Sequence, residues 1–242
     1  MSKRIPPLTD RYDFAEVAEM YFKKTNKAIE IGVFTGRFAM ANLKYWSGEY
    51  YMCDTFDMKR PEDIKMDKKL KRCVDKNSHA GLKSLIKNTE FAKDRCHIIK
   101  NFSVQAAEQF ENDFFDWIYI DAMHDYTNVA NDLEAWWPKL RTGGLFTGDD
   151  FWSSRRALKE YQDRDSEKIL STTDIEILDR FIANTDPFPK RPMRRHNYPR
   201  IAKRFGWGTA HAVYEHAKKT ERDLNITFVN DRYGTPAWYI IK

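Results

Sequence analysis

The chain has 242 residues, of which 42% are hydrophobic and 14% aromatic, a composition that is typical of a folded domain and excludes a disordered tail. No apolar run reaches the roughly 18 residues needed to cross a bilayer, and the first residues lack the apolar core of a secretory signal. The net charge is only +5, and the three cysteines form no CxxC pair, which argues against a structural zinc site and favours a reducing, cytoplasmic compartment.

The apolar periodicity predicts helices and strands that alternate along the chain. An N-terminal helical segment is expected over residues 9–25, with Asp13 and Glu16 as its capping box, and the charged stretch 58–94 predicts one or two further helices. Five strands separated by helices call for parallel βαβ units. These strands are expected in KAIEIGVFTG, EYYMCDTF, RCHIIKNF, FDWIYID and RTGGLFTGDDF.

The pattern changes near the C-terminus. The strands NITFVND and PAWYIIK are separated only by RYGT, a hairpin-length connection that makes the pair antiparallel. We therefore expect an α/β fold with a doubly wound, mostly parallel seven-stranded sheet, helices on both faces and an antiparallel last strand. Residues 1–242 are expected to form one domain, in which the segment from about 153 to 204 is an inserted lid without a core of its own.

The first predicted strand runs into a glycine turn, and the second ends in an acid. In an open parallel sheet, ligands bind outside the carboxyl ends of the strands, and Gly32 and Gly36 allow close approach to the backbone. The turn lacks the first glycine of GxGxxG, and Glu30 beside it is unfavourable for a pyrophosphate. Asp54 can accept hydrogen bonds from a ribose diol, or it can merely cap the turn that follows.

These motifs resemble those of the class I S-adenosylmethionine-dependent methyltransferases. AIEIGVFTGRFA looks like the first motif of that superfamily, an acid followed by a glycine turn, and the reversed last strand is similar to its fold. The resemblance covers about 28–151 and 226–242, and it implies that S-adenosylmethionine is the cofactor, with Ser103 near the adenine. The residues implied to line the cofactor are Glu30, Gly32, Phe34, Thr35, Gly36, Asp54, Ser103 and Asp121.

Acids follow the fourth and fifth strands, which are neighbours in the methyltransferase fold. Asp121, Asp149 and Asp150 would then converge at one edge of the cofactor pocket, where three unpaired carboxylates repel one another and lose hydration. A divalent cation bound by all three relieves this conflict, and oxygen ligands suit Mg²⁺, with Ca²⁺ or Mn²⁺ as alternatives. The acids can instead only shape the turn and cap the segment that follows.

A longer stretch points to one branch of the superfamily. IDAMHDYTNVANDLEAWWPKLRTGGLFTGDD resembles the pattern IDxDHSYxxVxxDL…W…L…GGxxxGDD of metal-dependent O-methyltransferases, with a departure at Met123, where that branch often carries a second acid. The resemblance implies methyl transfer to a hydroxyl of a small molecule, with His124 or Asp121 as the proton acceptor. A hydrogen bond to the backbone of its own loop would make His124 purely structural.

The stretch KRPMRRHNYPRIAKR, residues 190–204, carries seven Lys/Arg and no acid. It is either a solvated loop or a lid that faces an anion, and the planar fork of arginine matches phosphate, sulfate and carboxylate groups. The lid interpretation predicts an anionic small-molecule acceptor, and neither a membrane nor a nucleic acid is expected as a partner, although a homo-oligomer is compatible with the sequence. The acceptor-binding residues would be Arg191, Arg194, Arg195 and Arg200.

Three other functions stay open from the sequence. Methyl transfer to an amine would make the three acids unnecessary. An NAD-dependent dehydrogenase on a Rossmann sheet is disfavoured by the missing first glycine and by the reversed terminal hairpin. A polyanion-binding protein with a vestigial cofactor pocket would use the basic stretch instead.

Overall fold

The computed structural model describes residues 5–56, 81–154, 169–184, 206–227 and 236–242, together with Ala157, Lys159 and Tyr161. Within these ranges, no helix is long and apolar enough to cross a membrane. The four arginines predicted to bind the acceptor lie outside the described residues, as does most of the charged stretch 58–94.

One mixed sheet is built from seven strands. In chain order, β1 to β7 are Lys27–Ile31, Glu49–Asp54, Cys96–Lys100, Phe115–Ile120, Leu140–Gly148, Leu224–Ile226 and Trp238–Ile241. Their order across the sheet is β3-β2-β1-β4-β5-β7-β6. Neighbours among β1 to β5 run parallel, whereas β7 is antiparallel to both β5 and β6. The predicted fold class, a mostly parallel sheet with a reversed last strand, is confirmed.

Helices cover both faces of this sheet. The described α-helices α1 to α7 are Phe14–Val17, Arg37–Asn42, 81–89, Ser103–Ala107, Tyr126–Trp136, Thr172–Asn184 and Thr209–Lys219. One hydrophobic core contains side chains of α4, α5 and α7, and a second core contains side chains of α1, α2 and α3. The two cores lie on opposite faces, because the side chains of a strand alternate between them.

The central strand β4 is buried along its whole length. Ile118 and Ile120 join the core that contains α5, whereas Trp117 and Tyr119 join the core that contains α1 and α2. A parallel strand covered on both faces is largely apolar on both faces, which explains the apolar residues of FDWIYI. The exception is Asp116, which is fully buried and forms an ion pair with Arg141. The next charged side chain is that of Asp121, just after the strand ends.

The N-terminal helical segment begins one turn earlier than its capping pattern suggested. Asp10 is the cap: its carboxylate accepts the Tyr12 N–H at 2.7 Å, and the carboxylate of Asp13 accepts the Asp10 N–H at 3.4 Å. Asp13 itself has helical torsion angles and makes no side-chain cap bond, so the predicted capping box of Asp13 with Glu16 is wrong. This register places Arg11 in the first turn.

Part of the predicted inserted segment 153–204 is packed into the main core. Leu170 and Leu178 are buried together with side chains of α5 and α7. Asp174 at the start of α6 accepts a hydrogen bond of 3.1 Å from the Tyr214 hydroxyl of α7. These contacts tie α6 to the body of the fold, while the division of the chain into one domain with a lid stays a prediction.

Candidate active site at the carboxyl edge of the sheet

The glycine turn follows β1 at the carboxyl edge of the sheet. Gly32 has a φ of +88° and donates its N–H to the Cys53 carbonyl at 2.8 Å. A Cβ at this position would overlap the carbonyl oxygen of Asp121, so glycine is required for the ends of β1 and β4 to approach each other. Gly36 has a φ of +72° and precedes α2, where a Cβ would overlap the Leu85 side chain. Packing within the protein is therefore enough to require glycine at both predicted positions, without any ligand.

Asp54 holds the glycine turn against the end of β2. One carboxylate oxygen accepts the Phe34 N–H at 2.7 Å, and the other accepts the Phe56 N–H at 2.9 Å. The turn-capping role considered from the sequence is thus present. A carboxylate oxygen can accept a second hydrogen bond, so the same two bonds also fix the orientation in which Asp54 could receive a ribose diol.

Glu30 lies within β1 and is buried. Its carboxyl group accepts a hydrogen bond of 2.8 Å from the Tyr50 hydroxyl, which in turn accepts one of 2.8 Å from the Asn42 amide. Burial raises the pKa of Glu30 to about 8, although the Tyr50 hydrogen bond lowers it. The neutral acid therefore predominates at neutral pH, and Glu30 adds little negative charge to the site.

The remaining predicted cofactor residues flank the same edge. Ser103 begins α4 just after β3, and its hydroxyl accepts the indole N–H of Trp136 at 2.9 Å. The carbonyl of Thr35 accepts the side-chain amide of Asn88 at 2.9 Å. Phe34 is 52% exposed and has a φ of +50°, so its ring is available to a ligand beside the turn.

The structure brings the predicted acids together at the ends of β4 and β5. The register pairs Ile120 with Gly148, and the Asp149 N–H donates to the Ile120 carbonyl at 3.1 Å. Asp121 and Asp150 each offer an oxygen, and His124 a ring nitrogen, that lie within 4.8 Å of one another. The carboxylate of Asp149 is not part of this group and contacts an arginine instead.

That arginine is Arg11, which sequence reasoning missed. Its Nη1 donates to the Asp121 carboxylate at 3.2 Å and also to the Asp149 carboxylate. The guanidinium lies against the Phe38 ring, with Cζ 4.9 Å from the ring centroid. No local pattern signals this role, because the sequence alone placed the helix cap at Asp13 and the partners of Arg11 are 110 and 138 residues away.

Several carboxylates lie close together in this cluster and influence one another. Burial raises the pKa of Asp149, and the carboxylates of Asp150 and Asp121 raise it further, whereas Arg11 lowers it. Burial also raises the pKa of Asp121, against the opposing effect of Arg11. Burial and the neighbouring carboxylates therefore raise the pKa of Asp149 in spite of Arg11, and a positive charge bound beside these acids would favour their ionised forms.

His124 lies between the acids and an aromatic wall. Its Nε2 is 3.3 Å from a carboxylate oxygen of Asp150, and its ring centroid is 4.4 Å from that of Trp207. The carbonyl of His124, and not its ring, accepts the Gly208 N–H at 2.7 Å. The ring is therefore oriented toward the acids, while the backbone holds the loop. Met123, at the position where the resembling branch carries an acid, is 46% exposed.

Residues 206–209 join the two acidic loops, and we call them the loop clamp. Trp207 forms an isolated β-bridge with Asp125, which lies in the loop after β4. The Trp207 carbonyl also accepts the N–H of Ser154, which lies in the loop after β5, at 2.6 Å. Gly208 forms a second bridge with Ser153. One short segment thus sets the distance between the loop that carries His124 and the loop that carries Asp150.

The donor set at this edge fits a divalent cation. Asp121 and Asp150 supply carboxylate oxygens, which are the ligands that Mg²⁺ takes from proteins, usually one or two at a time with water and substrate completing the shell. The imidazole of His124 would also suit Mn²⁺. Asp149, the third acid predicted to bind the metal, is instead engaged by Arg11, so its assignment as a ligand stays a prediction.

Comparisons with known proteins agree with this geometry. A family model described as "Methyltransferase domain" matches residues 29–151, which include β1 to β5 and the acids that follow β4 and β5. A sequence comparison with curated proteins finds no match.

Solved structures with low sequence identity share the fold. The chain is similar to a protein from Corynebacterium glutamicum, with a TM-score of 0.53 and 10% identity over 98% of this chain and 82% of that one. It is similar to a "putative rRNA-methylase" from Clostridium thermocellum, with a TM-score of 0.53 and 10% identity over 98% of both chains. A "putative caffeoyl-CoA O-methyltransferase" from Staphylococcus aureus has a TM-score of 0.50 and 14% identity over 98% of this chain and 86% of that one.

Proposed function

The chain belongs to the methyltransferase-domain family, and we propose that it transfers a methyl group from S-adenosylmethionine to a hydroxyl of a small molecule, assisted by a divalent cation. The observation that carries the proposal is the convergence of Asp121, His124 and Asp150 beside the glycine turn. An O-methyltransferase needs a positioned acceptor hydroxyl and a proton acceptor. A neutral amine is already a nucleophile, so methyl transfer to an amine would not require the acids and His124 to be gathered here.

The cofactor proposal rests on the carboxyl edges of β1, β2 and β3. Asp54 is held by two backbone N–H groups and would receive the ribose diol. The exposed ring of Phe34 and the start of α4 at Ser103 would flank the adenosyl group. Because the sulfonium of S-adenosylmethionine is already reactive, the protein has mainly to orient donor and acceptor.

The cation proposal assigns the holding residues to the acidic loops. Asp121 and Asp150 would hold the ion, and His124 lies beside them. When bound there, a divalent cation lowers the pKa of an acceptor hydroxyl and fixes its orientation. His124 would take the hydroxyl proton on whichever ring nitrogen carries no hydrogen, since its ring lies beside the acids and is fixed by Trp207.

The acceptor proposal is an anionic small molecule bound by Arg191, Arg194, Arg195 and Arg200. Its support is the position of the basic stretch in the chain, directly before the loop clamp whose Trp207 lies on His124. An anion held there would have its hydroxyl presented to the acidic loops. Arginine suits this task because its fork binds carboxylate and phosphate groups with two hydrogen bonds.

Calorimetric titration with S-adenosylhomocysteine, with and without Mg²⁺ or Mn²⁺, tests donor and cation together. We expect binding of S-adenosylhomocysteine in both conditions, a separate divalent-ion isotherm, and loss of that isotherm in Asp150→Asn. Methyl transfer to hydroxyl-bearing small molecules should stop in excess chelator and recover with Mg²⁺. Full activity in chelator would remove the cation from the proposal, and binding of NAD in place of S-adenosylhomocysteine would remove the proposal itself.

A further inference from the structure

Arg11 reaches from the N-terminal segment into the acidic cluster. Its Nη1 contacts the carboxylates of both Asp121 and Asp149, and its side chain is only 19% exposed. The partners are 110 and 138 residues away in the sequence. An exposed surface pair contributes little and is easily lost, but this guanidinium is enclosed and shared between two acids.

Further contacts fix the guanidinium in place. Cζ lies 4.9 Å from the centroid of the Phe38 ring and 5.5 Å from that of Tyr12, both within the range of cation–π attraction. Burial disfavours the charged form, yet Tyr119, Asp149 and Asp121 more than compensate and raise the pKa of Arg11. The residue is therefore charged at every accessible pH, and leaving this position would cost it several favourable contacts.

The two carboxylates that Arg11 contacts overlap with the three that sequence reasoning assigned to a metal. Asp149 gives its Oδ2 to Arg11, and Asp121 gives one oxygen to Arg11 and lies within ligand distance of Asp150 and His124. The ligand atoms that lie within 4.8 Å of one another come from Asp121, His124 and Asp150, and Asp149 is not among them. An ion displaced toward Asp149 would also approach the Arg11 guanidinium, which repels it.

We propose that Arg11 is a built-in cation of the site, a positioning residue that removes Asp149 from the metal ligands and confines the divalent ion to Asp121 and Asp150 beside His124. This inference rests on the proposed function in one respect, the divalent ion. It departs from the assignment of three acids to the metal, and it gives the N-terminal segment a role in shaping the site.

Two neighbouring acids provide a matched test in a background that keeps Arg11. Asp149→Asn and Asp150→Asn make the same change one residue apart, and Mg²⁺ and Mn²⁺ affinities are measured by calorimetry for each. We expect Asp150→Asn to lower the affinity by about 10-fold to 100-fold, as for loss of a metal-site group, and Asp149→Asn to leave it within about threefold of wild type. An equal loss in both variants would show that Asp149 is a ligand and would overturn the inference.

Replacing Arg11 tests whether this residue is what keeps Asp149 from binding the divalent ion. Arg11→Met removes the charge and frees Asp149, so divalent affinity should rise by about tenfold or more, since a positive charge near the ion is lost. The double variant Arg11→Met/Asp149→Asn should reverse that gain, as expected for coupled neighbours. Arg11→Lys should behave like wild type in divalent affinity.

A structural arginine serves as the control. Arg95 donates to the carbonyls of Leu43, Trp46 and Gly48 and contacts none of the acids, so Arg95→Met should lower the thermal midpoint without changing divalent affinity. Unchanged affinity in a folded Arg11→Met would overturn the inference. If Arg11→Met does not fold, the comparison of Asp149→Asn with Asp150→Asn decides the matter alone.

Failure of the proposed function can be recognised separately. An equal loss of divalent affinity in Asp149→Asn and Asp150→Asn, with metal-dependent activity intact in wild type, would overturn the inference and leave the proposed function standing. Divalent binding by Arg11→Met but not by wild type would overturn both, because no ion would then be held by Asp121 and Asp150 in the natural protein. Absence of divalent binding in both, with S-adenosylhomocysteine still bound, would overturn both the inference and the cation part of the proposal.

Discussion

The indole of Trp207 lies against the imidazole of His124, with their ring centroids 4.4 Å apart. The same residue joins the two acidic loops through its backbone, by a bridge to Asp125 and a hydrogen bond of 2.6 Å from Ser154. Trp207 therefore sets both the direction of the His124 ring and the spacing of the loops that carry the proposed reacting groups.

Replacing Trp207 should lower turnover more than it lowers cofactor affinity. Trp207→Ala removes the wall behind His124, and a misplacement of about 1 Å can cost roughly 100-fold in rate. Trp207→Phe keeps an aromatic face and should retain most of the activity. Turnover rates and calorimetric affinities for S-adenosylhomocysteine check this, and a Trp207→Ala variant with wild-type turnover would contradict it.

His124→Ala should reduce turnover about 10²-fold to 10⁴-fold, as is typical for loss of a general base, with S-adenosylhomocysteine affinity nearly unchanged. His124→Gln is the matched control, since it keeps a polar side chain of similar reach but cannot take the proton. Both variants should lose turnover to a similar extent, which single-turnover rates check. Wild-type turnover in His124→Ala would return His124 to a structural role.

Asp54→Ala should weaken S-adenosylhomocysteine binding, because it removes the ribose acceptor and both bonds that hold the turn. Asp54→Asn keeps an acceptor oxygen, so its loss of affinity should be smaller. Gly32→Val should also weaken binding, but together with a lower thermal midpoint, since its side chain would overlap the Asp121 carbonyl. Wild-type affinity in Asp54→Ala would leave Asp54 only as a turn cap.

Glu30 should make stability fall as pH rises. Burial raises its pKa from 4.5 to about 8, so the folded state favours the neutral acid, and that advantage is full below about pH 4.5 and lost as pH rises through about 8. Glu30→Gln cannot ionise, and its stability relative to wild type should therefore improve steadily between those values. Urea unfolding at pH 5 and pH 9 measures the difference, and a constant difference would exclude the effect.

Arg194→Ala/Arg195→Ala should raise the KM for an anionic acceptor and leave S-adenosylmethionine affinity nearly untouched. These arginines lie outside the described residues, so the prediction rests on the charge of the stretch and on its place before the loop clamp. Lys218→Ala/Lys219→Ala on α7 is a control for loss of two charges elsewhere. A neutral true acceptor, or wild-type kinetics in the double arginine variant, would make the stretch a solvated loop.

The sheet was predictable because its signals are local. Each predicted strand shows its own apolar run, and the small number of residues between the last two predicted strands indicated that the last strand is reversed. The resemblance to the class I S-adenosylmethionine-dependent methyltransferases is confirmed by the family match over residues 29–151 and by the shared fold. That match favours methyl transfer over the dehydrogenase and the polyanion-binding alternatives.

The contacts that complete the site were not predictable, because they join distant parts of the chain. Periodicity placed Asp121, Asp149 and Asp150 at neighbouring strand ends, but no local pattern indicates that Arg11, 138 residues before Asp149, pairs with it. The same holds for Trp207 on His124. Strand ends follow from sequence patterns, whereas the partners of their side chains depend on how the tertiary fold closes around them.

The position of β7 has a consequence for how the protein is synthesised. β7 follows the other six described strands in the chain, yet it lies between β5 and β6, and among the described strands β6 pairs only with β7. A nascent chain therefore carries an open edge on β5, with Leu145 and Phe146 beside it, until Trp238–Ile241 emerges. Exposed strand edges recruit other chains, so a ribosome that stalls before Trp238 would release a product prone to aggregation.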